Sequence, residues 1–282
     1  MVPWLVKRDD DTAVEHDMAK RLNVMLGGAG LIGLALHRTL ESRGEPTIVY
    51  DLKTGVDLRQ HEPDEVPRDA YYWFLAWDVG GAKYLMDKSQ QLSILRHNLG
   101  LCEKIFGWLE RRKAGFTFIS SQMAGFPNAY GITKSVGELW AESIGNGLIT
   151  RLWNCYDAEA PSVRSHVVPD LVRQASTGTI RLLTSGEERR QFLHVDDVAE
   201  ALIHQRDIAQ PRADVTSGTW IPVREIAEVI AAQLNAQVAA GAEPGYESLV
   251  EPAQLLEGWS PRIDLATGIA MVIERMTENH WL

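Results

Sequence analysis

The sequence predicts an α/β protein: a doubly wound parallel sheet with a smaller, interleaved C-terminal α/β domain. Three observations predict it. Short, continuously apolar runs alternate with helical spacing through the first half of the chain, and such runs mark strands buried on both faces, as a parallel sheet covered by helices requires. The run "LNVML" at 22–26 enters a glycine-rich turn, "GGAG", which a helical pattern follows at once. After about residue 160 the alternation loosens and the last third becomes helix-rich.

The elements follow in order. "LNVML" is the first strand, and "LIGLALHRTLESRG" continues as a helix that stops at Gly44, a good C-terminal glycine. "PTIVYD" (46–51), "AYYWFLAW" (70–77) and "GFTFISS" (115–121) are the next strands, with a helix over 93–112 and a further strand, "GLITRLWN", over 147–154. Beyond residue 160, "HVVPDLVRQASTG" reads as helix, "TIRLLTS" as strand, "RRQFLHVDDVAEALIHQ" as strand then helix, and "REIAEVIAAQLN" as an amphipathic helix. Asp196 and Asp197 directly precede "VAEALI" and are expected to cap that helix. His194, on the preceding strand, reads as a satisfied structural histidine and not a catalyst, and Trp153 and Cys155 read as packing residues. The expected divisions are an N-terminal extension over 1–21, a main domain over 22–160 to which part of 191–215 returns, and a second domain over 161–282.

Composition narrows the partners. A formal net charge of −10 argues against nucleic acid or an anionic membrane, since both need a basic surface. The two cysteines, Cys102 and Cys155, lie in apolar contexts without metal-ligand spacing, so the expectation is a reduced, cytoplasmic protein with no metal site. No apolar run approaches the roughly 20 residues needed to cross a bilayer, and the opening stretch turns acidic where a signal peptide would stay apolar. Small molecules or protein remain.

"GGAGLIG" can be read as Gly28-x-Gly30-x-x-Gly33 or as Gly27-x-x-Gly30-x-x-Gly33. Either way the missing side chains let backbone approach a pyrophosphate, while the helix start through Leu31, Ile32 and Gly33 supplies unpaired N–H donors and a positive dipole end. Such a dinucleotide turn calls for an acidic residue about 20 positions on to bond a ribose hydroxyl. Asp51 ends the second strand 18 residues beyond Gly33. A carboxylate there repels a 2′-phosphate, which favours NAD over NADP; the plainer reading is that Asp51 caps a turn. Residues 22–160 thus read as a Rossmann-type NAD-binding domain.

"SSQMAGFPNAYGITK" (120–134) carries the chemistry. Tyr130 and Lys134, four apart, share one helix face. An ammonium about 4 Å from the phenol, at an effective dielectric near 20, contributes about 4 kcal/mol and would lower the tyrosine by about three pKa units. Ser121 leaves its strand at the carboxyl end, where open α/β sheets bind ligands, and is expected to orient a substrate oxygen while Tyr130 moves its proton.

Together these residues resemble the extended short-chain dehydrogenase/reductase superfamily, in its nucleotide-sugar epimerase/dehydratase group, from Leu22 to about Ile273. "YGITK", "DLR" (57–59), "RLWNCYD" (151–157), "RRQFLHVDDVAEAL" and "GWSPRIDLATGI" (258–269) stand in that group's order. The resemblance implies that Asp57 and Leu58 flank the adenine, that Leu75, Ala76, Trp77 and Asn98 line the cofactor, and that Lys134 binds the nicotinamide ribose. It implies further that Gln122 and Asn154 meet the sugar nucleotide, that Arg190 holds its diphosphate, and that His166 and Val168 border the nucleotide pocket.

Departures sharpen the reading. Group members that dehydrate a hexose usually place an acidic pair after the serine; here Gln122 and Met123 stand there, which disfavours a 4,6-dehydratase. The stretch "GAEPGYESLVEPAQ" lacks the arginine many relatives use as a second phosphate contact. The expected function is an NAD-dependent epimerase of a nucleoside-diphosphate sugar at C4. The alternatives are a ketoreductase or dehydrogenase of the same substrates and a non-catalytic dinucleotide-binding regulator. The helices flanking the site are expected to pair with their copies as a homodimer.

Overall fold

The computed structural model describes residues 21–63 and 65–282; the extension expected over 1–21 lies, apart from Arg21, outside them. The chain opens as β1 (Asn23–Leu26), α1 (Leu31–Ser42), β2 (Thr47–Tyr50), β3 (Tyr71–Phe74), a short α2 (Ala82–Met86) and α3 (Gln91–Leu101). It goes on through α4 (Gly107–Arg112), β4 (Phe116–Ser121), α5 (Ala129–Ile144), β5 (Gly147–Leu152), β6 (Asn154–Tyr156) and α6 (Val167–Ser176). Next come β7 (Thr179–Arg181), β8 (Arg189–Arg190), β9 (Phe192–His194), α7 (Val195–Ile208) and β10 (Arg212–Val215). It closes with β11 (Ile221–Pro222), α8 (Val223–Leu234), β12 (Gln237–Ala239) and α9 (Leu265–Glu278).

Six strands form one parallel sheet in the order β10-β5-β4-β3-β1-β2. The chain runs outward from β1 to β2 and then resumes on the other side of β1 with β3, so the strand order reverses between β1 and β3. A crevice opens at the carboxyl ends there. Strand alternation splits the core between two faces. Val24, Leu26, Tyr72, Phe74 and Phe118 pack with Phe106 and Trp108 on one side. Met25, Trp73 and Ile119 pack with Leu36 of α1 and with Val198 and Leu202 of α7 on the other. A third cluster joins Val168 and Leu171 of α6, Ile226 and Ile230 of α8, and Ile269 and Val272 of α9.

Three expectations change. The single helix expected over 93–112 is α3, a π turn over Cys102–Phe106, and α4. The wider turn lets Cys102, Ile105 and Phe106 all reach the core. The strand expected over 147–154 breaks at Trp153, and β6 leaves the sheet to pair with β9. Asp196 and Asp197 are not the caps of α7. The helix starts earlier, so His194 takes that position, its Nδ1 accepting from the Asp196 N–H at 3.2 Å. Asp196 instead pairs with Arg275 of α9 at 2.6 Å and Arg38 of α1 at 3.1 Å. Asp197 accepts the Arg262 and Ile263 N–H groups at 3.1 and 2.9 Å, pinning the approach to α9.

Candidate active site

The glycine turn between β1 and α1 shows which glycines the fold itself requires. Gly27 has φ +91°, and a Cβ there would lie 2.5 Å from the Ala76 Cα. A Cβ on Gly33 would lie 2.6 Å from the Gly28 carbonyl carbon, and one on Gly28 would press on Met25 and Val49 at 2.8 and 2.9 Å. At Gly30, the N-cap of α1, the nearest atom to such a Cβ is the Gly27 carbonyl oxygen at 3.6 Å. Among the described residues nothing needs Gly30 bare, and α1 starts with no side-chain cap. Open space above uncapped N–H donors fits a pyrophosphate.

Asp51 takes the plainer of the roles weighed for it, capping a turn, and adds a second bond to the glycine turn. Its Oδ1 accepts the Lys53 N–H at 2.8 Å, capping a short turn, and its Oδ2 accepts the Ala29 N–H at 3.0 Å, holding the glycine turn beside β2. Asp57 is forked by Arg59 at 2.9 and 2.7 Å, and these bonds hold its carboxyl down to about 2. Leu58 is corrected: its side chain joins the core cluster under the sheet instead of lying open to an adenine, because an apolar side chain on this loop gains more by burial.

Leu75, Ala76 and Trp77 follow β3 into the crevice and are half-buried. The Trp77 indole Nε1 is buried without an acceptor, a donor that a bound group would satisfy. Asn98 is corrected too. It is fully buried one layer behind, where its Oδ1 accepts the Asp78 N–H at 2.7 Å and its Nδ2 donates to Thr133 Oγ1 at 3.3 Å. It shapes the Asp78 loop and does not line the crevice.

Ser121, Tyr130 and Lys134 come together. Asn128 caps α5, its Oδ1 accepting the Gly131 N–H at 2.8 Å, and a Cβ at Gly131 would meet the Phe126 carbonyl oxygen at 2.7 Å. Glycine there lets the loop from Ser121 fold onto the first turn of α5. Tyr130 is consequently buried close to Ser121, whose Oγ accepts the Met123 N–H at 3.1 Å. Burial pushes the phenol up to about 12, outweighing the lowering influence of the nearby Ser121 hydroxyl. The expected lowering by Lys134 is absent from this state, since the lysine Nζ donates to the Ile119 carbonyl at 2.6 Å and lies 5.6 Å from the tyrosine ring centre.

Burial pushes the Lys134 amine down to about 7 from an ordinary 10.5. Between those values the unfolded chain holds the proton that the folded chain gives up. This group's penalty on stability is therefore full below about 7 and lifts as pH rises through that window. Lys134→Met is expected to melt higher than the parent at neutral pH, with a flatter dependence of Tm on pH through the mildly alkaline range. Parallel Tm curves for the two proteins would contradict a buried ammonium.

On the substrate side, Gln122 Nε2 donates to Asn154 Oδ1 at 2.9 Å. His166 begins α6 with Glu159 holding both its ring, Nδ1 to Oε1 at 2.7 Å, and its backbone N–H at 2.9 Å. Val168 is corrected: its side chain is wholly buried in the core cluster of α6, α8 and α9, where it is not open to a nucleotide. Arg190 is half-buried, its guanidinium donating to the Arg189 carbonyl at 2.7 Å and to the Tyr246 carbonyl.

The structure adds residues that the sequence reading passed over. Asp78 is buried, accepts the Tyr84 hydroxyl at 2.9 Å and pairs with Arg164 at 2.8 Å, joining the loop after β3 to the loop before α6. Two glycines after Asp78 were the available signal, since a Cβ on Gly80 would meet Arg164 at 3.1 Å. Glu138, four residues beyond Lys134, binds Ser120 at 2.5 Å, Arg151 at 2.7 Å and Arg212 at 2.9 Å. Burial alone would raise its carboxyl, but these donors bring it below the usual range.

A family model described as "NAD dependent epimerase/dehydratase family" matches residues 24–213. The chain belongs to that family. NAD is accordingly its cofactor, and the glycine turn and the orphaned Trp77 donor suit one. Among curated proteins it is similar to the GDP-L-fucose synthase of Escherichia coli strain K12, at 25% identity over 93% of this chain and 98% of that protein. Among solved structures, the GDP-mannoheptose C4 reductase from Campylobacter jejuni with NADP bound aligns at TM-score 0.77 and 17% identity, over 92% of this chain and 99% of that one. The UDP-glucose 4-epimerase from Thermotoga maritima with UDP-glucose aligns at TM-score 0.71 and 18% identity, over 92% and 99%. At these identities the structural likeness shows the family's fold. Among the described residues no helix is long and apolar enough to cross a membrane.

Proposed function

We propose that the chain reduces a nucleoside-diphosphate 4-keto sugar at C4. The observation that carries this reading is the Tyr130 hydroxyl: buried close to Ser121, beside Lys134, and pushed up to about 12 by burial. A phenol that keeps its proton at neutral pH is suited to giving one to a carbonyl oxygen. NAD in its reduced form supplies the hydride. Ser121 holds the C4 oxygen, Tyr130 protonates it as the new C–H bond forms, and solvent returns the proton to the phenolate. Lys134 binds the cofactor ribose, and Gln122 and Asn154 orient the sugar. Gln122 and Met123 leave no acid–base pair for dehydration beside the serine. The GDP-L-fucose synthase relative favours a guanine nucleotide, with Arg190 on its diphosphate.

A second reading, C4 epimerisation through a transient 4-keto sugar, is favoured by the UDP-glucose 4-epimerase likeness. One experiment separates the two. Purified protein given a GDP-4-keto-hexose and NADH is expected to consume reduced nicotinamide in step with the sugar, and GDP- or UDP-hexoses without added cofactor are expected to stay unchanged. Accumulation of a C4 epimer over many turnovers without added cofactor would move the assignment to the epimerase.

We also infer a homodimer. α3 packs along α5, and the pair exposes Leu92, Leu99, Ile132 and Leu139. A twofold copy would cover these side chains in a four-helix interface. Sedimentation at micromolar concentration should give twice the 31.5 kDa chain mass. A monomer there would remove the dimer.

A further inference from the structure

Lys134 needs an explanation that the reaction alone does not supply. Its ammonium is buried between α5, β4 and the loop after β3, and among the described residues one hydrogen bond, to the Ile119 carbonyl at 2.6 Å, serves its three N–H groups. The nearby carboxylate of Glu138 is spent on Ser120, Arg151 and Arg212. Three aromatic rings surround the charge instead. The Nζ lies 4.2 Å from the Trp77 ring centre, 5.1 Å from Phe118 and 5.6 Å from Tyr130. Ring faces attract a cation, most strongly where water is excluded and most strongly for indole. Trp77 is the nearest of the three, and contacts with Phe74 at 5.9 Å and Phe118 at 5.3 Å between ring centres fix its plane.

We propose that Trp77 is a positioning residue for Lys134: its indole face, with Phe118 and Tyr130, forms an aromatic cage that keeps the ammonium charged and facing the cofactor crevice. The proposal rests on Lys134 being the cofactor lysine. It adds that the residue placed after Ala76 tunes how firmly the dinucleotide is held. The other groups facing the ammonium are the Cys102 thiol from the π turn and Glu138 on its own helix. Burial works against the cage by pushing the amine down, so weakening the ring faces should uncharge it.

The test is NADH binding, followed by the fluorescence of the bound reduced nicotinamide across pH, in the parent, Trp77→Leu, Trp77→Phe, Lys134→Met and the double variants. Parental binding is expected to weaken as pH rises through the Lys134 titration. Trp77→Leu keeps the site apolar but removes the ring, and should move that weakening to lower pH and cost roughly tenfold in affinity at neutral pH. Trp77→Phe should fall between the two. In the Lys134→Met background both tryptophan changes should have no further effect. A loss that persists without the lysine would assign Trp77 to a direct contact through its indole N–H and overturn the cage, as would an unshifted pH dependence. If Trp77→Leu does not fold, the lysine-dependent loss in Trp77→Phe decides alone. Intact NADH binding with no sugar turnover would sink the proposed reaction and leave the cage standing.

Discussion

Tyr130→Phe is expected to lose roughly a thousandfold in kcat while binding NADH as the parent does. The change deletes one oxygen. The ring stays buried, its place beside the Lys134 ammonium is kept, and the capping of α5 by Asn128 is untouched. What disappears is the phenol hydroxyl beside Ser121, the proposed proton donor. Steady-state turnover alongside a separate measurement of NADH affinity reads the two effects independently. A loss under tenfold would show that another group supplies the proton. A parallel loss of NADH binding would show that the hydroxyl serves the cofactor.

Gly27→Ala should produce the largest loss of stability, about 3 kcal/mol, because two penalties coincide. The residue holds φ +91°, where a Cβ is strained, and that Cβ would be driven to 2.5 Å from the Ala76 Cα. Relief requires Ala76 to retreat, which moves Trp77 away from Lys134. The urea midpoint should therefore fall, with NADH binding lost as well. Gly30→Ala is the control that separates folding from function. Its Cβ meets only the Gly27 oxygen at 3.6 Å, so stability should hold to within about 0.5 kcal/mol, while the added methyl blocks the approach of a pyrophosphate. Equal destabilisation by both changes would refute the distinction between a glycine kept for packing and one kept for a ligand.

The strands were legible because parallel strands covered on both faces need uninterrupted apolar runs, and "YYWF" and "FTFI" leave little else to choose. The glycine turn, Tyr130 and Lys134 were legible from spacing, since that chemistry constrains local separations. Residues whose roles depend on distant partners were not. Leu58 and Val168 look no different in sequence whether they face a pocket or a core, and only the packing of remote helices decides. Asp196 has the sequence context of a cap, and its partners Arg275 and Arg38 lie on helices far along the chain in either direction. The state of Tyr130 was misjudged for a related reason. Helical spacing brings Lys134 to the same face, but it does not show that the amine bonds to Ile119 under a tryptophan.

The grip on Glu138 has a bearing on how the protein matures on the ribosome. Arg212, at the start of β10, stands 74 positions beyond the acid it binds. A nascent chain that has emerged only through β5 already owns Ser121, Tyr130 and Lys134, yet α5 carries an acid with one of its guanidinium partners still unmade. Ser120 and Arg151 already hold the acid at that stage, and Arg212 completes the clamp when the outer strand β10 is added. Early synthesis thus yields the parts of the site under a partial clamp, and the outer strand supplies the acid's remaining guanidinium partner.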